Sequence, residues 1–181
     1  MTILATMLSP SNPPAKGFDL SPAMRGIVLA ASTILTAMAI YAILRAMLGI
    51  APAHPNIRSA AIVLHVVSVI PAIPLGGYLL LSRKGTALHK QLGKLWIAMM
   101  VVTALSAIFI RTSGSFSFIH VFVPLTLIGA WQTVRYARQG RIAEHRKQII
   151  GMYLGALMIP GLVAFLLPGR LMNVWTFGWP A

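Results

Sequence analysis

From Ser59 to Ser82 the chain carries no Asp, Glu, Lys or Arg, and the same is true from Thr112 to Val134 and from Gln148 to Gly169. An α-helix rises about 1.5 Å per residue, so about 20 apolar residues cross a hydrocarbon core about 30 Å thick. Three runs of that length leave little choice of solvent. Two further segments extend the pattern. One runs from Gly26 to about Ala46, with Arg45 near its far end, where a long side chain can snorkel. The other has 16 uncharged residues between Lys94 and Arg111, and it reaches full length only if Gln91 to Lys94 form an interfacial first turn.

Composition points the same way. Only 9% of the 181 residues are charged and 57% are hydrophobic, with a mean hydropathy of +0.81. A soluble domain has about 25% charged residues, because its surface must stay solvated. The sequence therefore predicts an all-α, polytopic membrane helix bundle of about five transmembrane helices. It has no cysteine, which excludes disulfides and thiolate metal sites. Residues 1–24, with Pro10, Pro13 and Pro14, read as a disordered leader, and 25–181 as a single bundle. The leader lacks a basic region followed by an apolar region and a cleavage site, so it does not read as a cleaved signal peptide. Pro71, Pro74, Pro124 and Pro160 are expected to bend the second, fourth and fifth helices.

The net charge of +13 sets 15 basic residues against Asp19 and Glu144. A nucleic-acid binder would present such charges on a soluble face. Here they stand between apolar runs, so the expected partner is the lipid bilayer and not nucleic acid. One link holds Arg83, Lys84, Lys90 and Lys94, and another holds Arg135, Arg138, Arg141, Arg146 and Lys147. The opposite side holds Arg45, Arg58, Arg111 and Arg170. The positive-inside rule then places the rich links and the N-terminus in the cytoplasm. The C-terminus, with Trp175 and Trp179, falls outside at the interface.

A repeat organises the histidines. His65, Arg83 and Gly85 map onto His120, Arg138 and Gly140 at a constant offset of 55 residues, and His89 fits His145 with a one-residue slip. This predicts a duplicated helix pair, with repeat units at about 59–111 and 112–169. His65 and His120 would each lie about two turns into an outside-to-inside helix. His89 and His145 would lie near the cytoplasmic side, and His54 would fall in an outer loop.

Two histidines at one depth on different helices can hold a haem iron axially, each ring bonding an acceptor through its other nitrogen. His65 with His120, and His89 with His145, are thus candidate ligands for up to two b haems. Basic residues beside the inner pair suit propionates or an anionic donor. Plainer readings stand beside this one. The inner pair are also ordinary interfacial residues, and a buried neutral histidine can simply bond a helix carbonyl. Methionines fill apolar gaps, and Gly76-Gly77 and Gly151-x-x-x-Gly155 suit close helix contact. No intramembrane carboxylate, phosphate loop, metalloprotease motif or nucleophile elbow is present.

The segment His89-Lys90-Gln91-Leu92-Gly93-Lys94 is similar to a His-Arg-x-x-Gly-Arg pattern. So too Gly140-Arg141-Ile142-Ala143-Glu144-His145-Arg146 with Tyr153, and Leu167-Pro168-Gly169-Arg170-Leu171-Met172, resemble the bacterial predicted-membrane-protein family called domain of unknown function 2306. The resemblance covers roughly His65 to the C-terminus. It departs at Ile149, where the family has methionine, and at Trp96, where it has tyrosine. It implies a bacterial inner-membrane protein and brings no activity with it. The histidine plan also resembles the ascorbate-reducible di-haem b-type transmembrane cytochromes, in spacing and topology but not in motif. That similarity implies an electron carrier working with a redox partner or with subunits of a membrane complex. The alternatives are a non-enzymatic subunit or small-solute permease without haem, and a metal site at the outer histidines including His54.

Overall fold

A computed structural model describes residues 20–110 and 117–178. Six helices account for the regular structure among them. They are α1 (Pro22–Met47), α2 (Ala60–Leu81), α3 (Ala87–Ala107), α4 (Phe122–Arg138), α5 (Ile142–Leu166) and α6 (Leu171–Phe177). Short 3₁₀ turns at Pro55–Arg58 and Phe118–Val121 lead into α2 and α4. The leader up to residue 19, Arg111 and Trp179 lie outside the described residues.

Helix α1 begins before its apolar run does. Ser21 accepts a hydrogen bond from the Met24 N–H, and Pro22 takes the first helical position, where a missing N–H costs nothing. Helices α1, α2 and α5 are long and apolar enough to cross a membrane. Successive helices pack on one another, α1 with α2, α2 with α3, α3 with α4 and α4 with α5. The reversals after α2 and α4 pass through Gly85 at φ +80° and Gly140 at φ +69°, a left-handed conformation that suits glycine. Both are the turn glycines of the sequence repeat.

The outward surface is the reverse of a soluble protein's. Ile34, Val67, Leu105, Ile128, Trp131 and Ile159 are all about half exposed or more. Apolar area this continuous on a monomer marks contact with another apolar phase, here the bilayer.

Three expectations need correction. The fourth helix starts at Phe122, not near Thr112, so His120 sits in the preceding 3₁₀ turn and not two turns into a helix. A 3₁₀ turn and an α-helix share the same apolar composition, which hides the boundary. Pro124 consequently falls in the first turn of α4, where its missing N–H interrupts no bond. Third, Gly151 and Gly155 make no close contact, since an added Cβ would meet nothing within 4 Å among the described residues. Residues Met152–Met158 wind as a π-helix just before Pro160, with Met152, Tyr153, Leu157 and Met158 buried.

Pro71 and Pro74 deprive the Val67 and Ile70 carbonyls of their usual donors, yet α2 runs unbroken from Ala60 to Leu81. Neighbouring helices donate into the same stretch. Trp96 Nε1 donates to the Ala72 carbonyl at 2.9 Å, and Tyr153 Oη to the Ile73 carbonyl at 3.1 Å. Both rings are fully buried. Replacing Trp96 with Phe keeps most of the volume and loses the bond. It should cost about 1–3 kcal/mol, read as a lower unfolding temperature of the purified protein in detergent. An unchanged midpoint would mean that this bond adds nothing to the bundle.

At the far end, the Arg45 guanidinium donates to the Thr176 carbonyl near the end of α6 and lies 5.8 Å from the Tyr41 ring centroid. It thereby ties α6 to α1, a more specific role than snorkelling alone.

Candidate functional site

His65 stands in the second turn of α2 and is held across the interface by α3. Its Nδ1 lies 3.0 Å from the Thr103 carbonyl and 3.2 Å from Ser106 Oγ. Ser106 spends its own proton on the same Thr103 carbonyl at 2.9 Å, so both neighbours of Nδ1 are acceptors. The proton is therefore on Nδ1, and the Nε2 lone pair is left as the donor atom of the ring. A short polar ladder braces this face. Thr103 Oγ1 donates to Ser68 Oγ at 3.0 Å, and Ser68 Oγ donates to the Leu64 carbonyl at 2.7 Å.

His120 arrives from the turn before α4. Its Nδ1 is 3.1 Å from both the backbone N–H and the carbonyl of Ser117. As a helix cap, Nδ1 accepts from the Ser117 N–H, which puts the proton on Nε2. Only the other tautomer, donating to the Ser117 carbonyl, leaves a lone pair on Nε2. The two rings are thus chemically unequal despite their matching spacing in the sequence.

His65 and His120 line one cavity of about 310 Å³, together with His54, Thr126 and Arg170. Apolar side chains such as Met100, Leu157 and Phe165 make up most of the remaining wall. Small-molecule and cofactor pockets begin near this size and have this mixture of apolar wall and few polar groups. His54, which the sequence placed in an outer loop and offered as part of an outer metal site, also lines the cavity. It is buried, and its Nε2 lies 3.4 Å from the Gly169 carbonyl, so it joins the loop before α2 to the one before α6. The signal for it was weak: a single histidine between prolines. Among the described residues no three of His, Cys, Asp or Glu converge as a metal set, so the outer histidines with His54 do not form one.

The other pair lies at the opposite, basic end. His145, in the first turn of α5, donates from Nδ1 to the Thr133 carbonyl at 3.0 Å. His89, in the first turn of α3, has its backbone N–H capped by Thr86 Oγ1 at 3.1 Å. Its ring Nδ1 is shielded from water with no hydrogen-bond partner. Neither inner histidine lines the 310 Å³ cavity.

Residues 62–174 match the family model described as predicted membrane protein, domain of unknown function 2306. No curated protein and no solved structure matches the chain.

Proposed function

Because this chain belongs to the predicted membrane protein family of domain of unknown function 2306, we propose that it works within the bilayer, as a transmembrane electron carrier holding one b haem in the cavity between His65 and His120. The reading takes the five apolar segments as crossings of a bacterial inner membrane, the second to fifth forming the duplicated pair. Its main support is the chemistry of His65. A metal-ligating histidine characteristically gives its other N–H to a carbonyl, and His65 does so to Thr103 while keeping its Nε2 lone pair.

His120 would be the second residue to hold haem, in the tautomer that gives up its cap on Ser117. The apolar wall suits a porphyrin face, and Arg170 suits a propionate. Bound there, haem would supply one-electron transfer, and the chain's residues would hold it and keep water out. The inner histidines line no part of that cavity, so the reading assigns a single haem, and a redox partner at each membrane face follows from it.

One observation favours a second reading. With His120 as the cap, the cavity presents an acceptor at His65 Nε2 and a donor at His120 Nε2. That pairing suits a small hydroxyl- or carbonyl-bearing solute, as expected of a permease or binding subunit. The absorption spectrum separates the two. Protein expressed with ample haem and purified in mild detergent should show a Soret band, with visible bands that sharpen on reduction. A colourless protein overturns the haem reading in favour of the solute.

A further inference from the structure

The outward face of α4 changes character along its length. Val123, Thr126, Ala130 and Thr133 are buried against the bundle, so the residues opposite them in the helical period face away from it. On that side Leu125, Ile128 and Trp131 are each more than half exposed. One and two turns further on stand Arg135 and Arg138, also exposed. We infer that this stripe binds one anionic phospholipid, its phosphate held by Arg135 and Arg138 and an acyl chain lying along Trp131, Ile128 and Leu125.

Helical side chains lean toward the N-terminus of their helix, which at this end of α4 is the direction of the hydrocarbon. Arg135 does so, and its guanidinium carbon lies 5.1 Å from the centroid of the Trp131 ring. A guanidinium stacked on a ring keeps its N–H edge available, and that edge matches two phosphate oxygens. Stacking also removes part of the side-chain freedom that a loose arginine would lose on binding. Indole rings collect at the headgroup level of a bilayer, so the ring that steadies Arg135 also sets its depth.

Charge selects the ligand. Among the described residues the one carboxylate is Glu144, which Arg141 holds at 2.8 Å. That leaves no second carboxylate among them to answer Arg135 and Arg138. Basic links after apolar helices are ordinarily topology signals. What sets these two arginines apart is that they continue the face on which the apolar stripe ends. An apolar strip closed by two cations matches an apolar chain closed by an anionic head. An acidic protein would meet the arginines but not the strip, which lies at the level of acyl chains. Inorganic phosphate shares the chemistry of the head but has nothing to lay on Leu125 and Ile128.

The full-length protein in neutral detergent would be titrated with phosphatidylglycerol carrying bromine on its acyl chains, which quenches the fluorescence of an indole it touches. Quenching should saturate, and most of it should be missing in Trp131→Phe. Brominated phosphatidylcholine should need a higher concentration for the same effect. The half-saturating concentration of phosphatidylglycerol should rise roughly 30-fold in the double variant Arg135→Gln, Arg138→Gln, about fivefold for each basic residue lost at a membrane surface. It should hold in Lys90→Gln, Lys147→Gln, which removes the same charge from exposed positions on α3 and α5. An equal rise in both double variants reduces the effect to net charge and overturns the site. Quenching that survives intact in Trp131→Phe, or equal affinity for the two lipids, overturns it as well. Relief of the quenching by inorganic phosphate, compared with chloride at the same ionic strength, overturns the lipid in favour of free phosphate. All the substituted side chains are exposed, so the variants should fold. The stripe ends at the opposite end of α4 from His120, and these outcomes stand whether or not the cavity holds haem.

Discussion

Replacing Gly76 with Ala should lower the unfolding temperature more than any other single-methyl addition in the bundle core. A Cβ at Gly76 would lie 2.6 Å from Trp96 Nε1 and 2.7 Å from Tyr153 Cδ2. Ordinarily a crowded ring swings away. Here each ring is pinned by its bond to a carbonyl of the same helix, Trp96 to Ala72 and Tyr153 to Ile73. Relief of the clash therefore costs a buried hydrogen bond as well as packing. Overpacking alone costs about 1–3 kcal/mol, and a lost buried bond adds about 1–3 kcal/mol. Gly155→Ala is the control, because an added methyl there meets nothing within 4 Å. It should be neutral or slightly stabilising, since Ala is favoured over Gly in a helix by about 1 kcal/mol. Thermal unfolding of the two variants in the same detergent reads both effects. A Gly155→Ala variant as damaged as Gly76→Ala would mean that the face of α5 carrying Gly155 is packed against something other than lipid.

That contrast shows what could be read in the sequence and what could not. Charge-free runs located α1, α2 and α5 because membrane thickness imposes a minimum length on them, and composition alone reports it. The turn glycines Gly85 and Gly140 were legible for a similar reason, since the backbone there has φ values that glycine adopts freely. The reading of small residues as close-contact points holds at Gly76-Gly77 and fails at Gly151-x-x-x-Gly155, where an added Cβ meets nothing within 4 Å. In an apolar chain, lipid-facing and protein-facing sides look alike. Gly129 was overlooked for the same reason, though a Cβ there would come within 2.9 Å of Met152 and Gln148 side-chain atoms. The histidines divide in the same manner. Spacing correctly placed His65 in α2. It could not show that one ring donates to a carbonyl while the other caps a turn, because tautomers follow from local backbone geometry. His54 joined the cavity through a loop, where no periodicity exists to place a side chain.

The unequal histidines make the sharpest prediction about the cavity. In protein purified with bound haem, His65→Ala should abolish the Soret band, because it removes the one imidazole whose proton already sits away from the lone pair that a metal needs. His65→Gln should abolish it too, although the amide can still donate to the Thr103 carbonyl and keep α2 and α3 joined. Comparing the two separates ligation from packing: a protein that stays folded with Gln yet loses its colour has lost a ligand. His120→Ala should leave a weaker, shifted band, since His120 must first surrender its cap on Ser117 and is the less ready of the two residues to hold haem. His145→Ala should leave the spectrum unchanged, because that ring is tied to Thr133 at the basic end and lines no part of the cavity. Loss of colour in His145→Ala, with His65→Ala still coloured, would move the cofactor to the inner pair and reverse the assignment. Their similar spacing makes the two pairs look interchangeable in sequence. The cavity touches only one of them, and that difference in space is what the spectra would read.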